Sequence, residues 1–151
     1  MLIRHTTDAT FELTTQEHHA TLSGMLAQAW AQCHLHPALI SAITLHDAPW
    51  RDVDAEPRFH PETGLPHDFI DYPMDDKIAF YREGIDKLER VHPYVAYMVS
   101  LHYTTFAGTR DVERLQAPER ERRERLEELL GTSFVSGAER ALEWVKFFDV
   151  F

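Results

Sequence analysis

Cysteine is almost missing from this sequence: Cys33 stands alone among 151 residues. No internal disulfide can form, so a reducing, cytoplasmic compartment is the expected home. Long apolar runs are missing too. The opening stretch MLIRHTTDATFELTTQ has no apolar core of signal-peptide length, and nothing elsewhere approaches the roughly 20 apolar residues of a membrane span. Glycine is scarce, six residues in all, and none belongs to a phosphate-cradling loop. Basic residues are outnumbered, 15 against 25 acidic, for a net charge of −10. Such a surface repels phosphate backbones and anionic lipid, which argues against nucleic-acid and membrane partners. There is no internal repeat and no low-complexity tract. The serines and the one cysteine offer no activated nucleophile, and Cys33 reads as inert core on the first helix.

What the sequence does have is helical periodicity and histidine, ten residues of it. The length fits a single domain over residues 1–151, since domains run roughly 100–200 residues and bury about two-thirds of their unfolded surface without staples. Leu2-Ile3-Arg4 and Phe11-Glu12-Leu13 are β-prone and predict a small strand pair. Thr14, with Glu17 three residues on, reads as the capping box of a first helix. That helix carries Leu22, Met25, Leu26, Ala29, Trp30 and Cys33 at helical spacing, predicted to face inward. Pro37 opens a second helix with Leu39, Ile40 and Ile43 inside, running to His46-Asp47.

Residues 48–73 then read as a long irregular, acidic and aromatic loop, of a length that is often functional. A third helix over about 74–90 buries Met74, Ile78, Tyr81, Ile85 and Leu88. Pro93 starts a fourth, with Val95, Val99, His102 and Phe106 on one stripe. The charged stretch 110–130 predicts a solvated helix with Val112, Leu115, Leu126, Leu129 and Leu130 as its apolar contacts and a break near Pro118. Ser136 with Glu139 reads as a second capping box, before a last helix that buries Ala138, Leu142 and Val145. The expected class is all-α, a bundle of about six helices with a short N-terminal β-prone segment.

At 100° per residue, several polar side chains fall on the apolar faces. His46 and Asp47 flank the Ile43 stripe, His102 lies between Val95, Val99 and Phe106, and Asp149 follows Leu142 and Val145. His18 and His19 flank their stripe about equally, and periodicity does not choose between them. Buried carboxylates are normally paired or bound to metal. Imidazole and carboxylate from different helices suit a divalent transition ion such as iron, manganese or zinc. His34, His36, His60, His67 and His92 lie near helix ends, prolines or loops and read as surface residues.

The order histidine, adjacent His46-Asp47, then a distant Asp149 resembles the HD-domain superfamily, whose signature is H…HD…D on a helical core. More closely, the segments TTQEHHATLSGMLAQAW, ITLHDAPWRDVD, GLPHDFIDYP, PYVAYMVSLHYTTF and WVKFFDVF are similar to the DUF3891 family over nearly the whole chain. The resemblance implies a first metal ion held by His19, His46, Asp47 and Asp149, and it alone selects His19 over His18. It gives His102 the place of an additional histidine that binds a second ion or contacts phosphate. Gln16, one turn before His19, is in reach of the substrate.

There are departures. Where many HD phosphohydrolases carry a lysine soon after the HD pair, this chain reads His46-Asp47-Ala48-Pro49-Trp50, which favours an aromatic-contacting substrate beside Trp50. Only His67 and His92 remain for a full two-metal set. The chain ends two residues after Asp149, which predicts a frayed last turn.

The leading expectation is a metal-dependent hydrolase of HD type acting on a small phosphorylated or nucleotide-like substrate. In it, Asp47 would orient or accept a proton from water, and His102 would stabilise substrate charge. The alternatives are a di-iron oxygenase of HD type and a non-catalytic metal- or ligand-binding module. A homodimer is compatible with all three.

Overall fold

A computed structural model describes residues 1–5, 10–30, 32, 34–106 and 110–151, without the side chains of residues 5 and 110–112. Two strands, β1 (Leu2–His5) and β2 (Phe11–Thr14), pair antiparallel with Leu2 opposite Thr14 and Ile3 opposite Leu13. All other regular elements are helical: α1 (Gln16–Ala29), α2 (Pro37–Leu45), a 3-10 turn (Ala48–Trp50), α3 (Arg51–Ala55), α4 (Met74–Val91), α5 (Pro93–Tyr103), α6 (Arg110–Leu130), α7 (Thr132–Val135) and α8 (Ala138–Asp149). Six of these helices have nine residues or more. The expected all-α class with a short β segment is what the chain adopts. No helix among the described residues is long and apolar enough to cross a membrane.

The centre of the molecule is α5. Its sequence, PYVAYMVSLHY, is apolar on nearly every side, and a helix of that kind has to be enclosed. Helices α2, α4, α6 and α8 pack around it, so that Val95 to Ser100, His102 and Tyr103 are all buried. Phe106, expected on the same stripe, lies beyond the end of α5 and is half exposed. Pro118 does not interrupt α6, and that helix is only partly a solvated one. Its inner face carries Leu115, Leu126 and a buried ion pair in which Arg122 Nε donates to Glu119 at 3.0 Å. Leu129 points to solvent, and the side chain of Val112 lies outside the described residues.

Helix α1 departs most from expectation. Its cap is Thr15, whose hydroxyl accepts from His18 N, and Thr14 belongs to β2. Leu22, Met25, Leu26 and Ala29 face solvent, while Gln16, Ala20, Ser23, Gly24 and Ala27 form the buried face. Cys33 lies outside the described residues. The reason for the rotation is the closeness of α2. A Cβ built on Gly24 would stand 2.0 Å from Thr44 Oγ1, so only the small-residue side of α1 can approach α2 this nearly. The two hydroxyls at the crossing need no partner across it: Ser23 donates to His19 O and Thr44 to Ile40 O.

Gly24→Ala is therefore expected to lower stability by about 1–3 kcal/mol through overpacking. Urea unfolding would read this as a lower midpoint at unchanged slope, and an unchanged midpoint would contradict the contact.

The segment after α2 is more ordered than a loop. Pro49 and Trp50 are buried in the 3-10 turn, and α4 closes on that turn through Gly84, where a Cβ would come within 2.5 Å of Pro49. Irregular backbone is left only from Glu56 to Pro73. At the other end, the expected Ser136–Glu139 capping box does not form. Ser136 closes the short helix α7, and Gly137 precedes α8 with no side-chain cap.

Candidate metal centre

Four helix termini and turns converge beneath α5. His46 is the C-terminal cap of α2 and Asp47 opens the 3-10 turn, so the break that Pro49 enforces presents both side chains to the interior. His19 lies in the first turns of α1, with its ring turned inward, while His18 is exposed. Asp149 is the last residue of α8, and that turn is not frayed. Phe148 stacks on Trp144 at 6.0 Å between ring centroids and meets Trp30 edge-on at 5.9 Å, which holds the helix end in place. The start of α1 is fixed as well: Gln16 N donates to Asp54 Oδ2 of α3 at 2.6 Å.

One carboxylate oxygen ties the set together. Asp149 Oδ1 is 3.1 Å from His19 Nε2 and 2.9 Å from His46 Nε2, and His46 Nε2 is 3.3 Å from Asp47 Oδ2. Ligands 2.0–2.2 Å from one ion lie roughly 2.8–3.6 Å apart, depending on octahedral or tetrahedral geometry. The candidate donor atoms of His19, His46, Asp47 and Asp149 all fall within 4.8 Å of one another.

The fit is chemical as well as spatial. His46 Nδ1 donates to Ile43 O at 2.7 Å, which directs the lone pair of a neutral ring onto Nε2. That lone pair then faces two carboxylate oxygens. Only a proton or a metal ion on Nε2 makes such an arrangement favourable.

Without metal, the proton is the answer. Burial of His46 opposes its charge, but the carboxylates of Asp47 and Asp149 outweigh burial and raise its pKa to about 10. Asp149 responds in the opposite sense. Its burial is overcome by hydrogen bonds from His19 and His46, which hold its carboxyl well below the usual range. His102 behaves differently again. Burial and the positive charge on His46 push it down to about 4, so at neutral pH its ring is uncharged.

His102 stands next to the four-residue set rather than inside it. Its Nε2 is 3.6 Å from Asp149 Oδ2, its ring meets that of His46 edge-on at 5.3 Å, and neither ring nitrogen has a hydrogen-bond partner. A buried, unpaired polar group costs about 1–3 kcal/mol, which a ligand at this position would relieve.

A cavity of about 140 Å³ opens on the set, walled by Gln16, His19, Asp47, Trp50, Asp149 and aromatic side chains. Gln16 is thus beside the site, and its buried Oε1 has no partner. Trp50 is both cavity wall and core: it is 1% exposed and packs edge-on against Phe80 at 4.7 Å. Of the two histidines left over for a second ion, His92 caps α5 through Val95 N, and His67 joins His60 in the irregular segment.

Several contributors escaped the sequence reading. Tyr103 OH donates to Asp47 Oδ1 at 3.3 Å, and Tyr81, Phe69 and Phe106 complete the aromatic wall. Tyr103 had a detectable signal, because it follows His102 in a helix apolar on all sides. Phe69 had a weaker one: it belongs to the acidic, aromatic stretch 48–73 that the sequence marks as able to line a pocket, but no period singles it out.

Comparison with known proteins adds a family and no activity. The sequence model of the family described as "Protein of unknown function (DUF3891)" matches residues 1–151, and the chain belongs to that family. No curated protein and no solved structure matches it.

Proposed function

We propose that this DUF3891 chain is a metal-dependent hydrolase of HD type, cytoplasmic, acting on a small phosphorylated or nucleotide-like molecule. The observation that carries the reading is His46 Nε2, with its other nitrogen committed to a backbone carbonyl and two carboxylates in front of it. The order His19, His46-Asp47, Asp149 supports assignment to the HD superfamily, and convergence of those four side chains supports one shared ion.

His19, His46, Asp47 and Asp149 would hold iron, manganese or zinc. When bound, such an ion supplies Lewis acidity, which lowers the pKa of water and polarises a phosphoryl oxygen. The remaining work belongs to the protein. Asp47 Oδ1, kept in place by the Tyr103 hydroxyl, accepts a proton from the attacking water. Neutral His102 stabilises charge that develops on the substrate, and the unpaired Gln16 Oε1 accepts from a substrate donor. The aromatic walls exclude bulk water and strengthen each of these interactions.

One observation favours a second reading. No arginine or lysine lines the cavity among the described residues, as a phosphate-binding pocket would normally require. Oxidation of an uncharged organic substrate with dioxygen as the oxidant, at a di-iron centre whose second ion His102 would serve, fits such walls.

Elemental analysis of protein purified without chelator, followed by a phosphoester panel with the metal found, separates the readings. Turnover of phosphoesters is expected. Two irons with an absorbance that bleaches on reduction, and no phosphoester turnover, would replace hydrolysis by oxidation. A loaded site with neither property would leave a binding module.

A further inference from the structure

We propose that His60, His67 and Asp71 form a second divalent-cation site, suited to zinc, that pins the irregular segment between Glu56 and Pro73. The site is independent of the centre under α5. It begins with local backbone pairing: Phe59 and Pro66 form an isolated antiparallel bridge, His60 N donates to Leu65 O at 2.7 Å, and His67 N donates to Arg58 O at 2.8 Å. Gly64, at φ +68°, supplies the left-handed turn between them. In this register Arg58, His60, Leu65 and His67 share one face, which brings the two imidazoles to 4.5 Å between centroids.

The third ligand is fixed from the other side. Asp68 Oδ1 accepts from Ile70 N and Asp71 N, and Asp68 N donates back to Asp71 Oδ1 at 2.9 Å. The Asp71 carboxylate is therefore aimed before anything binds. Its Oδ1 is 3.1 Å from His67 Nδ1 and its Oδ2 is 4.0 Å from His60 Nε2. One donor atom from each residue lies within 4.8 Å of the others, a spread that a small closure brings to the roughly 3.4 Å between ligands of a tetrahedral zinc ion. Three donor groups with one open position match the pattern of two imidazoles, one carboxylate and a water.

The imidazoles are available for binding: His67 is buried, and the ring of His60 is not committed elsewhere through Nδ1, which is shielded from solvent without a partner. Charge does not prevent occupancy. Arg58 is committed to Asp76, and the nearby Lys77 ammonium donates to Ile70 O while facing two carboxylates, Asp68 and Asp71. The local balance stays negative. The purpose of the site follows from its position: Phe69, between His67 and Asp71, is a wall of the cavity at the first centre. An ion here would stiffen that wall.

The test is a zinc titration of the full chain after chelator treatment, by calorimetry, comparing wild type with Asp71→Asn, His67→Ala and His46→Ala. Wild type is expected to bind about two equivalents, and Asp71→Asn, His67→Ala and His46→Ala about one each. Zinc should also slow proteolytic cleavage within residues 56–73 in His46→Ala and not in Asp71→Asn. Asp71→Asn keeps the side-chain acceptor for Asp68 N, so it guards against a misfolded His67→Ala. If His46→Ala binds no zinc and gains no protection, the proposal is overturned. If wild type binds a single equivalent that Asp71→Asn removes and His46→Ala keeps, this site stands and the centre under α5 does not bind zinc.

Discussion

Wild type should be purified with metal under α5 and His46→Ala and Asp149→Ala without it, while His102→Ala keeps it. Asp149 Oδ1 lies within 3.1 Å of both His19 Nε2 and His46 Nε2, so its removal deprives the set of an atom that two of its members share. The loss from a direct ligand should exceed the roughly 10–100-fold in affinity that removal of an outer-shell partner costs. In the metal-free state the same substitution strands a protonated His46 with only Asp47 opposite, so some loss of stability accompanies it. His102 meets the set through Asp149 Oδ2 at 3.6 Å and the edge of the His46 ring, without a hydrogen bond to either, and its truncation should leave metal content near wild type while turnover falls. Elemental analysis reads the first effect and the substrate panel the second. Equal metal loss in all three variants would make His102 a ligand of the same ion. Retention in His46→Ala would refute the assignment.

Metal affinity at this centre should rise about 10-fold for each pH unit, or roughly 100-fold between pH 6 and 8, with about one proton released per ion bound. His46 supplies that proton. Its pKa without metal is raised to about 10, so it is charged across this range and must become neutral to ligate. His102, at about 4, and Asp149, held well below the usual carboxylate range, have already lost theirs. Calorimetry in buffers of differing ionisation enthalpy measures the proton count, and a slope of zero would show that His46 is not protonated in the free protein.

The sign for the metal-free fold follows from the same values. His46 is raised above its ordinary 6.5, so its contribution to stability is complete below 6.5 and lost as pH rises through about 10. His102 is depressed, so its burial costs more as pH falls from 6.5 toward 4. Metal-free protein should therefore lose stability on either side of a maximum near pH 6.5, and the bound ion should flatten the alkaline limb.

The sequence alone determined the six longer helices and the inward direction of His46, Asp47, His102 and Asp149; the short helices α3 and α7 were not legible in it. Those residues lie on helices whose apolar neighbours recur every three or four positions, and that period is a local property of the chain. The choice of His19 over His18 did not come from periodicity, which left both open; a resemblance carried it, and in the structure it is His19 that lies beside Asp149. Helix α1 shows where local pattern misleads. Its larger apolar residues, Leu22, Met25 and Leu26, are exposed, because a close crossing with α2 selects the face that can come nearest, and Gly24 is on that face.

Tertiary structure decided everything that depends on separate segments meeting. Tyr103 reaches Asp47 across 56 residues of chain, Asp54 reaches Gln16 across 38, and Asp149 reaches His19 across 130. His60 and His67 read as surface residues in the sequence and Asp71 was not singled out, since no helical or strand period links them. A bridge between Phe59 and Pro66 and a turn at Asp68 bring them together. Periodicity reports which way a side chain points from its own helix; only packing determines what it finds there.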